Sequence, residues 1–204
     1  MSWIPPVLVS LAASVLAYFG LRAAVASAST TPARVRVEGG RLYGPGVTPY
    51  RITSSDRLWL GRMLLGETGG RGGQVGAAVV WALAQNYMLV IGAGSARPRF
   101  SSLSALVQAY AQPVNPQWAD PSSSKCRDHP EACTADRIER RQRYRATSWS
   151  AIPAEAREVV DSFIAGTLTN PVPGLTDWHA NRWDGARMNV GGNWFGVSPR
   201  RRLA

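Results

Sequence analysis

A chain of 204 residues is long enough for one domain of ordinary size plus a short appendage, and 45% hydrophobic residues can fill a real core. The 23 basic residues outnumber the 13 acidic ones to leave a net charge of +10, almost all of it arginine, since Lys125 is the one lysine. That excess asks for an anionic partner such as cell wall, lipid head groups or nucleic acid, and charge alone does not choose among them. No Walker loop, dinucleotide fingerprint or serine-centred elbow is present, which removes the function classes that depend on them.

The chain opens on Ile4 to Leu21, a run of 18 residues without a charge, extended by the small residues that follow Arg22. Trp3, Tyr18 and Phe19 stand near its ends, where aromatic side chains favour a membrane interface. Pro5 and Pro6 fall in the first turn, where proline is tolerated. Three readings compete: a transmembrane anchor over 1–28, a cleaved signal peptide, and a buried or virion-internal helix. Ala26-Ser27-Ala28 looks like a cleavage site, but no Lys or Arg precedes the run. The anchor is the expected form.

Residues 29–52 are rich in Ser, Thr, Gly, Pro and Arg and read as a linker, with one short strand at Val35-Arg36-Val37. The globular part is expected over 53–204. Ser54, Ser55 and Asp56 offer helix caps ahead of the apolar Leu58, Trp59, Met63 and Leu64. A second helix is predicted from Gln74 to about Tyr87, with small residues that permit close packing, then a loop over Gly92 to Pro98. A third runs from Ser102 to Ala111 and stops before Pro113. A basic helix follows at Thr134 to Ala146, and Pro153 opens another over Ala154 to Leu168. From Asn170 onward the chain shows turn residues and aromatics rather than helical period. The fold class expected is mainly α.

The most informative stretch is Leu64 to Gln74. It sets one acidic residue, Glu67, at the end of an apolar helical segment, followed by a glycine-rich turn and a second apolar helix. A carboxyl group held against apolar neighbours has a raised pKa, because desolvation disfavours its charged form, and such a group donates protons near neutral pH. The ordinary alternative is a helix-end carboxylate paired with Arg62 or Arg71. Thr68 either orients that carboxyl group or caps the helix end.

Gly66-Glu67-Thr68, the glycine turn, Gln74-Val75 and the small-apolar helix resemble the start of the SleB-type cell wall hydrolase domain. Further likenesses follow in the same order: Phe100 to Tyr110, Phe163 to Gly166 with Asn170-Pro171, Thr176-Asp177-Trp178-His179, and Gly192-Asn193-Trp194-Phe195. The resemblance covers roughly 55–196. It implies a lysozyme-like fold, lytic transglycosylase activity on peptidoglycan, Glu67 as catalytic acid, and no cofactor. It also puts Gln108 and Tyr110 near the cleft. Residues 119–150 look like an insertion, and the family's second Glu is replaced by Gly or Arg71. That replacement counts against a two-carboxylate hydrolysis. It leaves a mechanism in which one acid protonates the glycosidic oxygen and then, as base, lets the muramic 6-hydroxyl close on its own anomeric carbon.

Other residues carry paired readings. Trp178, His179, Asn181, Trp183 and Asn193 form either a substrate-groove wall, where aromatic faces stack on sugar rings, or ordinary packing. Cys126 and Cys133 are expected to close a disulfide across a Pro-containing loop; with His129 and His179 they match no common zinc spacing, and no metal is expected. Asp136 to Arg145 carries five arginines in ten residues, and Arg200-Arg201-Arg202 adds three more. Both read either as solvated faces or as patches for phosphate-bearing polymers, including nucleic acid without sequence specificity.

The flanking charges set a conflict. Arg22, Arg34, Arg36 and Arg41 follow the apolar run, and the positive-inside tendency would keep the domain in the cytoplasm, where a wall enzyme has no substrate. The expected location is therefore the cell envelope, membrane-anchored and extracytoplasmic, or a virus particle that delivers the enzyme among virion protein neighbours. The rival is a non-catalytic virion or envelope component that keeps the fold and binds membrane, DNA or protein through its arginines. An arginine closing off Glu67 favours the rival; an open cleft with an apolar wall favours the enzyme.

Overall fold

The computed structural model describes residues 35–91 and 99–197. The expected transmembrane or signal segment, the loop at 92–98 and the arginines at 200–202 lie outside the described residues. Among those described, no helix is long and apolar enough to cross a membrane.

The described architecture is helical with two small sheets. Strands β1 (Arg36–Glu38), β2 (Arg41–Tyr43) and β3 (Tyr50–Arg51) precede helices α1 (Ser54–Glu67) and α2 (Gly73–Asn86), the latter continuing as a π turn over Tyr87–Ile91. Helix α3 (Leu103–Tyr110) is followed by two 3-10 turns, then α4 (Ser124–Asp128), α5 (Ala135–Ala146) and α6 (Ala154–Ala165). Strands β4 (Asp177–His179), β5 (Ala186–Val190) and β6 (Asn193–Gly196) close the domain.

Helix α2 is the axis. From Gly76 to Asn86 every residue is buried, as expected of a helix that is apolar all round and covered on every side. Helix α1 packs on α3, α5 and α6, and α2 packs on α6 and against β4. The cap of α1 is Thr53 rather than a residue of the Ser54–Asp56 group: its hydroxyl accepts from the Asp56 backbone N–H, while Asp56 accepts from the Thr53 N–H at 2.8 Å. Asp56 is fully buried, yet its carboxylate also accepts from the Tyr50 hydroxyl at 2.7 Å and the Ser104 N–H at 2.7 Å. One satisfied carboxylate thus ties the first sheet, α1 and the start of α3 together.

Residues 35–52 of the segment expected to be a linker are part of this domain. Val35, Val37, Leu42 and Ile52 insert into the core, and β1, β2 and β3 pair as an antiparallel sheet. The C-terminal stretch, expected to lack a sheet, forms a second antiparallel sheet in the order β4-β6-β5, with Phe195 fully buried. Both sheets turn by the same device. Gly39-Gly40 and Gly191-Gly192 have positive φ, 53° and 70° in the first pair, 57° and 89° in the second, the conformation a two-residue hairpin needs to match the strand twist.

Candidate active site

Glu67 is the last residue of α1. The helix stops there because the Thr68 and Gly70 N–H groups both turn back to the Leu64 carbonyl, at 3.0 and 3.2 Å. The cleft in front of Glu67 holds about 450 Å³. Leu83 and Asn86 of α2 form its floor, Tyr110, Gln112 and Trp118 one side, and Thr176 to Ala180 with Asn193 the other.

The polar end of α2 fixes that second side. Gln85 Nε2 donates to the Val172 and Leu175 carbonyls at 2.9 and 2.7 Å, and its Oε1 accepts from the Gly174 N–H at 2.6 Å. Asn86 Nδ2 donates to the Thr176 carbonyl at 2.9 Å. These two buried amides bind the chain just before β4 to the helix, so that Asp177, Trp178 and His179 emerge at the cleft. Thr176 Oγ1 donates to Asp177 at 2.7 Å. Asn86 Oδ1 is buried without a hydrogen-bond partner.

Burial pushes the Glu67 carboxyl group up from 4.5 to about 7, against the opposing pull of a hydrogen bond donated by the Trp178 indole N–H. Glu67 enters no ion pair among the described residues. Both arginines that sequence proximity offered as partners are engaged elsewhere. Arg62 donates to the Thr147 carbonyl at 2.9 Å and lies over Trp59, and Arg71 donates to the Thr68 carbonyl at 3.1 Å. A carboxyl group with a pKa near 7, in a cleft and unneutralised by a cation, is equipped to give up and take back a proton at neutral pH.

Tyr110, Trp178 and His179 line the cleft as expected. Tyr110 is 44% exposed and packs edge-on against Phe100, with ring centroids 5.7 Å apart. Trp183 stands behind His179 in an edge contact at 4.8 Å, supporting the wall without lining it. Three residues fall elsewhere. Thr68 is buried, and its hydroxyl faces the Leu64 and Arg71 carbonyls at 2.8 and 2.7 Å, so it caps the helix end instead of meeting a ligand. Gln108 borders a separate recess and donates to the Ser104 carbonyl at 3.3 Å, because it sits a half-turn before Tyr110 on α3. Asn181 is exposed beyond β4 and does not line the cleft.

The sequence reading missed Gln112, Trp118, Asn86 and Asp177 as lining residues. Trp118 comes from the edge of the segment read as an insertion, and that segment holds it: Arg141 and Lys125 lie over its ring at 5.6 and 6.0 Å, and Arg141 donates to its carbonyl at 2.9 Å. Within the same segment Cys126 and Cys133 form a disulfide, with Cα atoms 5.3 Å apart, so neither sulfur is a thiolate available to zinc. Size does not choose the site. A groove of about 580 Å³ lies beside α6, but its Glu155 and Glu158 are exposed and it has no aromatic wall.

Comparison with protein-family models, with curated proteins and with solved structures finds no match to this chain.

Proposed function

We propose that the protein cleaves peptidoglycan glycan strands as a lytic transglycosylase of lysozyme-like fold, with Glu67 as its acid and base. The observation that carries this reading is the desolvated Glu67 carboxyl group, with a pKa of about 7, facing a cleft walled by Tyr110, Trp118 and Trp178 without a neutralising arginine. The order of short motifs shared with the SleB-type domain supports it.

Protonated Glu67 donates to the glycosidic oxygen, the C–O bond breaks, and positive charge develops on the anomeric carbon. The resulting carboxylate then removes the proton of the muramic 6-hydroxyl as that oxygen bonds to the anomeric carbon, giving a 1,6-anhydro product and restoring the acid. A pKa near the working pH suits a group that must do both steps. The aromatic side chains hold the sugar rings by stacking. The chain would act in the cell envelope or from a virus particle, held by its apolar N-terminal run.

A second reading rests on Asp177, a second carboxylate bordering the cleft. If it activates water, the products carry reducing ends rather than anhydro ends. Digestion of purified peptidoglycan by the full chain in detergent, with products read by mass spectrometry, separates the two. Anhydro-muropeptides support the transglycosylase, reducing ends the hydrolase. No cleavage favours the non-catalytic rival, an envelope or virion protein that binds anionic partners through its arginines.

A further inference from the structure

Helix α5 packs against α1 just behind the candidate acid. Its Arg137, Arg140, Arg141 and Tyr144 enclose, with Gly66, Gln112 and Pro113, a recess of about 350 Å³. This recess adjoins the Glu67 cleft: Gln112 borders both, and Gly66 immediately precedes Glu67 in α1.

The recess gathers positive charge without a counter-charge. Arg141 is buried and spends its hydrogen bonds on the Trp118 and Ala132 carbonyls, at 2.9 and 2.8 Å. Arg137 donates to the Glu131 carbonyl at 3.1 Å. Carbonyl groups satisfy donors but cancel no charge. Of the two acidic residues on the same helix, Glu139 is taken by Arg143 at 2.7 Å, while Asp136, in the first turn, and Arg140 enter no ion pair among the described residues. Burial, and secondarily the charge of Arg137, push the Arg141 guanidinium below its ordinary pKa. Like charges converging this way cost energy that a bound anion would return. Guanidinium groups match a carboxylate in paired, planar hydrogen bonds.

We propose that this recess receives a carboxylate of the peptide stem carried by a glycan strand lying in the Glu67 cleft, and that Arg137 and Arg140 thereby make the protein prefer stem-bearing strands. The inference rests on the glycan reading of the cleft and names the part of the substrate that the insertion reads. Arg141 holds Trp118 and the recess in shape; Arg137 and Arg140, exposed at the rim, meet the anion.

The test is binding rather than cleavage, so that it stands apart from the catalytic reading. Full chain carrying Glu67→Gln, with and without Arg140→Gln or Arg137→Gln, is titrated with three soluble probes: glycan strands bearing peptide stems, the same strands stripped of stems, and stripped strands bearing a phosphodiester polymer. The expected result is tighter binding to stem-bearing strands, a loss of about tenfold for each arginine removed, and no effect of either variant on stripped strands. Superimposable thermal unfolding of the variants shows that the fold is retained. Equal binding to all three probes, binding that follows the phosphodiester instead of the stem, or variants that weaken stripped and stem-bearing strands alike would overturn the proposal. Stem-dependent binding, with a wild-type chain that releases nothing from purified peptidoglycan, would sink the catalytic reading and leave this one standing.

Discussion

Replacing Glu67 by Gln should stabilise the protein, and only above about pH 5. The folded-state pKa of about 7 lies above the ordinary 4.5 because burial penalises the charged form. A carboxyl group raised in this way costs nothing at pH 4, where it is protonated whether the chain is folded or unfolded. As pH rises through the unfolded value the unfolded chain ionises freely while the folded one does not, and stability falls until Glu67 itself ionises near pH 7. The interval from 4.5 to about 7 corresponds to about 3 kcal/mol of stability lost by pH 8. Gln keeps the shape and the acceptor for the Trp178 N–H, and has no charge to bury. At about 2–4 °C per kcal/mol for a domain of this size, Glu67→Gln should melt roughly 6–12 °C above wild type at pH 8 and within a degree or two of it at pH 4. Comparing the two proteins at each pH cancels every other titrating group. The assay is calorimetric or fluorescence melting of both across pH 4 to 8. A difference in melting temperature that does not change with pH would refute the desolvation argument. The gain in stability should come with loss of activity, as is common where a strained group is part of the chemistry.

Trp178→Phe removes the indole N–H that favours the ionised Glu67. With a hydrogen bond to a charged group worth about 1.5–3 kcal/mol, the basic limb of the kcat/KM profile should move up by about 1–2 pH units; a limb that stays in place contradicts the bond. Gln85→Leu strands the Val172 and Leu175 carbonyls and the Gly174 N–H, and should cost about 2–4 kcal/mol in urea unfolding, with activity falling because β4 loses its hold on α2. An undiminished urea midpoint would show that these bonds do not anchor the cleft wall. Gly66→Ala places a Cβ against the Pro113 ring and close to Tyr144, which should cost about 1–3 kcal/mol by overpacking and displace Gln112 from the cleft rim. A variant as stable as wild type would mean that the approach of this loop to α1 is loose.

The helices were legible in the sequence because their signals are local. Ser102 before Leu103, Pro153 before Ala154 and the apolar run after the glycine turn each mark a helix that starts within a residue of expectation, although the helix after Pro153 ends at Ala165, where Gly166 caps it with positive φ, rather than at Leu168. The carboxyl group of Glu67 was legible for the same reason, since apolar residues of two adjacent helices announce its desolvation. Apart from the one strand expected at Val35 to Val37 and found at Arg36–Glu38, the sheets were missed because their strands have two to five residues, too few for alternation to stand out. The Gly39-Gly40 and Gly191-Gly192 pairs between apolar-containing triplets were the available signal. Trp118 and Asp177 needed the tertiary arrangement. No local pattern says that a tryptophan ahead of a disulfide loop will be carried to a helix end 51 residues earlier in the chain. Thr68 shows the converse: it adjoins Glu67 in sequence, but the helix end claims its hydroxyl.

The most direct test of the central claim is the rate at which full-length protein, wild type and Glu67→Gln side by side, releases muropeptides from purified peptidoglycan at pH 6. Removing a general acid should cost on the order of 10²–10⁴-fold in rate, with the Gln variant still folded and still bound to the glycan. A Glu67→Gln protein that releases the same products at an undiminished rate would contradict the account.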